Sequence, residues 1–392
     1  MLNTLTLFVF LGDSLEAEHA TLELWGGVEC TVNRVRQEFQ EQLHRSGHWR
    51  RLSDLDLFAA MGIQALRQPV LWEDVAPREI EAPNWSWPDK WLSRLQELAI
   101  RPVLGLLHHG SGPSNTSLLD PDFPQKLAQY AAAVARRYPW VLDYTPVNEP
   151  LTTARFSALY GHWYPHASDA TSFVRAFLNQ CRGTVLAMRA IREYQPEARL
   201  IQTDDLSVTF STPDIRYQAD FENERRWLTW DLLAGRVDRY HSLHRFLVEN
   251  GASETELDWF ILNSCPPQII GINHYVTSDR YLDTNLHHYP SHTHGGNGLR
   301  SYADVEAARV RLDGPADPCD LFLEAWERYR IPLALTEVHH ACAREEQLRW
   351  LLEMWRGAER ARKRGAQVCA VTIWSLLGAF DWDSLVTLRR DR

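Results

Sequence analysis

The chain has 392 residues, of which 45% are hydrophobic, enough to bury the core of one large α/β domain. Its 51 acidic and 41 basic residues give a formal charge of −10, which disfavours a nucleic-acid partner or an anionic membrane surface. The six cysteines form no CxxC pair, so the sequence indicates neither a metal or redox motif nor a disulfide framework.

The N-terminal segment, residues 1–20, contains an early apolar run from Leu5 to Leu11. This run is too short to span a membrane, and no basic residue precedes it as in a signal peptide. We therefore expect an N-terminal extension over 1–20, a barrel domain over 21–392 and a cytoplasmic location. Ser14 lies in a Gly-Asp-Ser-Leu block similar to that of GDSL-type esterases, but the other esterase motifs are missing. We interpret Ser14 as a helix cap or turn residue.

Beyond residue 21, eight short apolar runs alternate with longer amphipathic stretches. The runs are Leu22–Val28, Ile63–Pro69, Pro102–Leu107, Leu142–Val147, Arg199–Thr203, Gln268–Asn273, Pro332–Thr336 and Ala370–Ser375. Helical spacing is clearest in Lys126–Tyr138, Phe173–Tyr194 and Glu345–Arg364. The alternation predicts parallel βαβ units, and eight of them fit a single-domain (β/α)8 TIM barrel. The short stretch after the eighth run predicts an incomplete closing helix.

Polar and aromatic residues follow these runs, where the carboxyl ends of barrel strands converge on one rim. They are Glu29, Arg67, His108, His109, Asn148, Glu149, Asp204, Asp205, Asn273, Tyr275, Glu337, Trp374, Asp381 and Trp382. Of the adjacent pair Asp204 and Asp205, only one side chain can face the rim, because neighbours on a strand point to opposite sides. A capping or structural role suits this pair best.

Glu149 and Glu337 suit glycoside hydrolysis, which needs one acid to protonate the leaving oxygen and one carboxylate at the anomeric carbon. A separation of ~5–5.5 Å between the two carboxyls gives retention, and a wider one gives inversion. Strands four and seven face each other across a barrel mouth, which would bring the pair together. A single glutamate at a strand end is more often a rim charge, so the prediction depends on the pair.

Several short motifs in the same order resemble the family 1 glycoside hydrolases, over roughly residues 22–386. They are Ala65-Leu66-Arg67 with Leu71-Trp72, Leu107-His108-His109 with Pro113, Asn148-Glu149-Pro150, Gly271-Ile272-Asn273-His274-Tyr275, Thr336-Glu337, and Trp374-Ser375-Leu376 with Phe380-Asp381-Trp382. The resemblance implies a retaining β-glycosidase acting on a small-molecule glycoside, without metal or organic cofactor.

The resemblance also implies roles for individual residues. Glu337 would be the nucleophile, kept ionised by Arg67 and Tyr275, and Glu149 would be the acid/base. Asn148 would bind the sugar 2-hydroxyl, with Asn273 supporting the site. The remaining predicted substrate-binding residues are Glu29, His109, Trp374, Asp381 and Trp382.

Three departures from the family pattern leave the sugar open. Glu29 stands where the family usually has Gln, Asp381 where it has Glu, and Val338-His339 where it has Asn-Gly. The chain is also similar to a glycosidase-like barrel fused to dTDP-4-dehydrorhamnose reductase in some bacterial proteins, which implies a fused or associated sugar-nucleotide reductase. A catalytically idle sugar- or nucleotide-sugar-binding barrel is therefore the alternative. The histidine-rich segment 287–294 is interpreted as a loop over the barrel mouth that is solvated or in contact with substrate, with metal binding as the least favoured alternative.

Overall fold

A computed structural model describes residues 21–78 and 80–382. Eight parallel strands form a closed barrel, in which each strand pairs with the next along the chain and the eighth pairs with the first. In chain order they are Glu23–Gly27, Ala65–Pro69, Arg101–Gly105, Asp143–Thr145, Arg199–Asp205, Ile269–Tyr275, Leu333–His339 and Val368–Ile373. The predicted single-domain (β/α)8 barrel is confirmed. The predicted extension over 1–20, with Ser14, and residues 383–392 lie outside the described residues.

Each barrel strand coincides with one of the predicted apolar runs. The fifth, sixth and seventh strands extend two or three residues further than predicted, to Asp205, Tyr275 and His339. Polar residues at these three ends are therefore held in the sheet, where strand pairing fixes the direction of each side chain. The fourth strand is shorter than predicted, so Asn148 and Glu149 follow it on a turn.

Helices surround the barrel and connect its strands. The longest are Phe123–Arg137, Ala170–Arg192 and Arg344–Lys363, close to the helical stretches expected from spacing. The other helices are Gln42–Ser46, Asp54–Ala60, Trp72–Val75, Ser86–Glu97, Pro150–Ala154, Arg216–Arg225, Leu228–Leu233, His244–Glu249, Glu254–Leu262, Ala307–Val310 and Pro318–Tyr329. A π-helical turn follows at Arg155–Leu159. In the described ranges, every helix is too short or too polar to cross a membrane.

The barrel interior is filled by side chains and is not an open channel. Its lower layer consists of Trp25, Ala65, Val103, Ile201, Ile269, Ala334 and Ala370, one from each of seven strands. The alanines leave room for the large indole of Trp25, which allows the layer to pack without a gap. This layer separates the carboxyl end of the barrel, where the predicted site residues lie, from the amino end.

Two small sheets above the barrel were not predicted from the sequence. Val32–Val35 pairs with Glu38–Glu41 as a hairpin after the first barrel strand. Thr209–Ser211, Arg280–Asp283, His294–Gly296 and Ser301–Glu306 form a four-stranded sheet. This sheet includes part of the histidine-rich segment that was expected to be a loop. Both sheets belong to connections at the carboxyl end of the barrel, where they shape the surroundings of the mouth.

Candidate active site

Glu337 lies on the seventh barrel strand with both carboxylate oxygens occupied. The Arg67 Nη1 group donates a 2.6 Å hydrogen bond to Oε1, and the Tyr275 hydroxyl donates to Oε2. Only 2% of Glu337 is exposed. Burial raises the pKa of this carboxyl, while Arg67 and the hydrogen bond from Tyr275 oppose the rise. The side chain is therefore fixed in orientation, and its charged form is the one these partners stabilise.

Glu149 follows the fourth strand at the start of the helix Pro150–Ala154. Its backbone adopts φ 46°, a left-handed conformation that is uncommon for a residue with a side chain and is concentrated at functional sites. Oε1 accepts a 2.6 Å hydrogen bond from Asn273 Nδ2. Burial, followed by the nearby charge of Glu337, raises the pKa of Glu149 well above its ordinary value. The surroundings of Glu149 therefore favour its protonated form.

Asn273 connects the two carboxyls. Its amide nitrogen donates to Glu149, its Oδ1 accepts a 2.6 Å bond from the Thr336 hydroxyl, and the side chain lies close enough to Glu337 to oppose the rise in its pKa. One short amide therefore reaches both glutamates, which places the two carboxyls on the same side of the mouth. Such a pair can supply a proton from one group and a negative charge from the other.

Asn148 is oriented by two donors to its amide oxygen. Arg67 Nη2 donates at 2.6 Å and the Thr203 hydroxyl at 2.7 Å. The amide nitrogen is directed to the opposite side, 3.3 Å from His108 Nε2 and 3.5 Å from His109 Nε2. The orientation of the amide is therefore set by the protein, with its donor group facing the histidines.

His108 and His109 are buried side by side after the third strand. Burial lowers the pKa of both imidazoles, to about 3 for His109, so both are neutral near pH 7. His109 Nδ1 is 2.9 Å from the Thr153 hydroxyl, and its Nε2 is 3.7 Å from Glu149 Oε2. A neutral His109 can exchange hydrogen bonds with a ligand without adding charge beside Glu149.

Glu29 and Trp374 form the wall next to Arg67. Glu29 is buried, accepts a 2.9 Å bond from the Thr31 backbone N–H, and has its pKa raised by burial. The Trp374 ring stacks on His108 at a centroid distance of 5.2 Å and lies 4.5 Å from the Arg67 guanidinium carbon. A side chain at Gly27 would come within 2.5 Å of the Trp374 ring, so this strand position requires glycine.

Trp382 joins the site, and Asp381 lies apart from it. The Trp382 ring is 5.7 Å from His109 and 6.2 Å from Trp163. Asp381 instead accepts a 2.6 Å hydrogen bond from Arg45 at the outer edge, with 57% of its side chain exposed. The structure thus brings together the predicted residues from Glu29 to Trp382 with the exception of Asp381.

Asp204 and Asp205 have different surroundings, as strand alternation required. Asp204 is fully buried on the outer side, where it accepts from the Leu151 N–H at 3.0 Å and from the Thr229 hydroxyl at 2.6 Å. It therefore holds the helix that follows Glu149. Asp205 is partly exposed on the side of the mouth and accepts from Ser278.

The hydroxyls of Thr203 and Thr336 and the ring of Trp163 were not predicted as parts of the site. The two threonines lie on barrel strands, with side chains directed to the interior like those of the residues they support. Alternation along the predicted strands was the signal that could have identified them. Trp163 gives no such signal, because it lies on an irregular connection.

The histidine-rich segment does not form a metal site in the structure. The His287 and His288 rings are 4.2 Å apart, and His294 Nε2 lies 2.9 Å from the backbone oxygen of Leu286. Within residues 21–78 and 80–382, no group of three or more His, Cys, Asp or Glu side chains is arranged to hold a metal ion.

Comparison with known sequences relates the chain to a plant β-glucosidase. No protein-family model matches the chain. A protein named β-glucosidase 47 from Arabidopsis thaliana is 21% identical over 371 residues, covering 86% of this chain and 69% of the relative.

Comparison with solved structures gives the same fold. A family 1 β-glucosidase from Thermotoga maritima superposes with a TM-score of 0.72 at 14% identity, covering 92% of this chain and 89% of that one. A complex of a β-glucosidase from the same organism with deoxynojirimycin gives 0.70 at 17% identity, with 86% and 79% covered. An enzyme named AHE from Alicyclobacillus herbarius gives 0.70 at 18% identity, with 84% and 78% covered. The chain has the barrel fold of family 1 β-glucosidases.

Proposed function

We propose that this chain is a retaining β-glycosidase of the family 1 type, with Glu337 as nucleophile and Glu149 as acid/base. The observation that carries this proposal is the buried pair itself. Arg67 and Tyr275 stabilise the charged form of Glu337, whereas burial and the charge of Glu337 raise the pKa of Glu149 and favour its protonated form. Two carboxyl groups whose surroundings favour opposite protonation states at one barrel mouth match the needs of glycoside cleavage.

In the first step, the Glu337 carboxylate attacks the anomeric carbon while Glu149 gives its proton to the leaving oxygen. The bond to the leaving group breaks, and an ester forms between the sugar and Glu337. Ester formation removes the charge of Glu337, one of the causes of the raised pKa of Glu149. Glu149, now deprotonated, becomes the better base. It takes a proton from water, which attacks the same carbon and releases the sugar with retained configuration.

The neighbouring residues then have positioning and binding roles. Asn148, oriented by Arg67 and Thr203, presents its amide nitrogen for the sugar 2-hydroxyl, a contact that strengthens in the transition state. The other proposed sugar-binding residues are Glu29, His109, Trp374 and Trp382, whereas the predicted Asp381 is left out because it pairs with Arg45. The acid at Glu29, where the family usually has an amide, changes the hydrogen-bonding groups offered to the sugar and is therefore expected to alter sugar preference.

The test is to treat the protein with aryl β-glycosides and with a fluorinated mechanism-based inactivator, followed by mass spectrometry of peptides. We expect one covalent sugar adduct on Glu337, which Glu337→Ala abolishes together with turnover. Glu149→Ala should slow aryl glycoside hydrolysis by about 10²–10⁴-fold. Glu353→Gln, an exposed helical position, serves as the control and should leave both readouts unchanged.

The alternative function is a sugar- or nucleotide-sugar-binding barrel without turnover, associated with a deoxysugar reductase. The acid at Glu29 and the pairing of Asp381 with Arg45 favour it, because both alter the expected sugar contacts. Binding of sugars with neither adduct nor turnover across the glycoside panel would contradict the glycosidase proposal and support this alternative.

A further inference from the structure

The outer face of the eighth and first barrel strands is only partly covered by the part of the chain that the structure describes. Trp25 and Ala370 point into the barrel, so Leu24 and Cys369 beside them point outward. Both outward side chains are partly exposed, whereas Ile270, which points outward from the sixth strand, is fully buried. The eighth and first strands therefore carry an apolar strip that lacks the cover found over the sixth strand.

The helix Arg344–Lys363, which leads into the eighth strand, forms one wall of a groove over this strip. Gly357 lies against Pro318 of the neighbouring helix, where an added Cβ would be 2.7 Å from the proline Cβ. At 3.6 residues per turn, Leu348 and Leu352 lie on the side of the helix away from Pro318. These two leucines are 48% and 51% exposed. The wall therefore presents apolar side chains on the groove side.

The helix Asp54–Ala60, which follows the first strand, forms the other wall. An ion pair between Asp56 and Arg94 joins this helix to its neighbour on the side of the second strand. By the same helical spacing, Leu57 and Met61 lie on the side away from that neighbour, and they are 62% and 52% exposed. Exposed apolar side chains that border one apolar floor form the kind of patch that marks an interaction surface. We call this space the apolar groove, with Leu24 and Cys369 on its floor and Leu57, Met61, Leu348 and Leu352 on its walls.

The chain enters the first strand at the amino end of the apolar groove. Glu23, the first residue of that strand, pairs with Ala370 of the eighth strand. From the end of the apolar run Leu5–Leu11 to Thr21, the chain spans up to about 33 Å when extended. The longer wall helix has 20 residues and is about 30 Å long. The apolar run can therefore reach any point along the groove.

The residues before Thr21 match the groove in polarity and charge. The run Leu5–Leu11 contains a single polar residue, Thr6. Three acids follow the run, namely Asp13, Glu16 and Glu18. The longer wall helix ends at the amino end of the barrel with Arg362 and Lys363 in its last turn. With the run against the apolar walls, the acids between the run and the first strand come near this basic helix end, where opposite charges attract.

Residues 383–392 are less suited to the apolar groove. They follow Trp382, whose ring lies 5.7 Å from His109 beside the barrel mouth. The amino end of the groove, where Met61 lies, is the part most distant from that point. As a helix, ten residues would measure about 15 Å, half the length of the longer wall. The N-terminal run therefore fits the length and the entry point of the groove better.

We propose that the apolar run Leu5–Leu11 packs along the apolar groove and completes the cover of the barrel over its eighth and first strands. The inference does not depend on the glycosidase function. It makes residues 1–20 a part of the folded domain, since loss of the run uncovers Leu24 and Cys369.

Cys369, on the floor of the groove, is a native reporter of this cover. We would treat the full chain with N-ethylmaleimide and follow each cysteine by mass spectrometry of peptides, comparing wild type with Phe8→Asp combined with Val9→Asp. Two adjacent positions are changed so that one of them faces the groove whether the run is helical or extended. We expect Cys369 to react at least about tenfold faster, because a carboxylate opposes burial and the rate follows the free energy of local opening. Asn3→Asp, which lies outside the run, should react as wild type.

Two other cysteines distinguish local uncovering from unfolding. Cys342 is partly exposed outside the groove and should react at one rate in every variant, whereas Cys181 is buried and should react only on global unfolding. If Cys181 reacts in the aspartate variant, Phe8→Ala combined with Val9→Ala provides the measurement, because it shortens the run's side chains without adding charge.

Substitutions on the walls test the same contact from the other side. Leu57→Glu and Leu348→Glu should each make Cys369 react about tenfold faster, with Cys181 unchanged. Leu312→Glu, the same substitution at a fully exposed leucine outside the groove, is the matched control and should have no effect.

An unchanged rate at Cys369 in the run variants would overturn the proposal. So would a faster rate in Leu385→Asp but not in the run variants, which would assign the groove to residues 383–392. Light scattering tests a second copy as the occupant. A wild-type dimer that Leu348→Glu dissociates, with Cys369 protected equally in the wild type and the run variants, would overturn the proposal as well.

Discussion

At the scale of single residues, the two glutamates differ because their neighbours differ. Glu337 has a guanidinium on one oxygen and a phenol on the other, whereas Glu149 has one amide donor and is close to negative charge. Burial raises the pKa of both, so the partners decide which one keeps the proton. Arg67 and Tyr275 lower the pKa of Glu337, as expected from the sequence. Burial has the larger effect, so the pKa of Glu337 is raised overall.

Replacing Tyr275 with phenylalanine tests this balance. The change removes the hydroxyl that donates to Glu337 Oε2, so the pKa of Glu337 should rise further. We expect the acidic limb of the kcat/KM profile to move to higher pH by about one to two units, with a ~10- to 100-fold lower maximum. The measurement is a pH–rate profile on an aryl glycoside. Tyr289→Phe, which alters a hydroxyl bonded to Asp283, is the control. An unmoved acidic limb would contradict the role of Tyr275.

Glu73 is a buried acid outside the catalytic pair. Its Oε1 accepts a 2.9 Å bond from the Gly112 N–H, and its Oε2 has no partner in the structure. Burial raises the pKa of Glu73 from 4.5 to about 8. Because the folded pKa lies above the unfolded one, the stability linked to the protonated form is complete below about pH 4.5 and is lost as the pH rises through 8.

Glu73→Gln should therefore reduce the dependence of stability on pH. The amide keeps an acceptor for Gly112 and has no charge to bury, so at pH 9 the variant should be more stable than wild type, by on the order of 3 kcal/mol. Urea unfolding at pH 5 and pH 9 measures the difference in the free energy of unfolding. Glu353→Gln should follow the wild type. Parallel curves for wild type and Glu73→Gln would show that Glu73 is ionised in the fold.

At the scale of elements, the segment after the third strand depends on the helix Trp72–Val75. Glu73 on this helix fixes Gly112, and a Cβ at Gly110 would lie 1.9 Å from Glu73 Oε1 and 3.0 Å from the Val32 carbonyl oxygen. His109 lies immediately before Gly110 and has φ 56°. The direction of the His109 side chain is thus set by contacts with residues that are distant in the sequence.

Gly110→Ala should displace this segment, whereas Gly105→Ala on the preceding strand should be tolerated. A Cβ at Gly105 meets no heavy atom within 4 Å. We expect Gly110→Ala to lower the free energy of unfolding by about 1–3 kcal/mol and to reduce kcat/KM more than tenfold. Urea unfolding and aryl glycoside kinetics on both variants provide the comparison. Equal behaviour of the two alanines would refute the tight contact at Gly110.

At the scale of the whole molecule, the two ends of the barrel serve different purposes. The carboxyl end holds the paired glutamates, and the amino end is closed by ion pairs around Asp143. This fully buried carboxylate accepts from Arg101 at 3.1 Å and from Arg199 at 2.7 and 2.8 Å. The filled interior layer separates the two ends. Stability and activity are therefore expected to respond to different residues.

Asp143→Ala tests this separation. It leaves two arginines without their shared acceptor, and we expect the free energy of unfolding to fall by about 3 kcal/mol. At a temperature where the variant is folded, kcat/KM on an aryl glycoside should stay within about twofold of wild type, because the site lies at the opposite end. Denaturant unfolding and steady-state kinetics on the same preparation measure both. A large loss of activity in folded protein would show that the two ends are coupled.

The sequence alone determined the barrel, its eight strands and the order of the polar residues along its rim. Each depends on short-range regularities, namely the alternation of apolar runs with amphipathic stretches and the type of residue that follows each run. The pair Glu149 and Glu337 could be predicted because both follow clear strands. The family resemblance named Arg67, Tyr275 and Asn273, and the structure shows them in contact with the pair.

Tertiary structure decided what depends on contacts between distant parts of the chain. Thr203 and Thr336 orient amides from other strands, and Asp381 pairs with Arg45. None of these follows from local pattern, since each results from the direction of a side chain after 50 or more residues of chain have been brought together. The protonation of the two glutamates also depends on tertiary structure, because burial and neighbouring charge arise only in the folded chain.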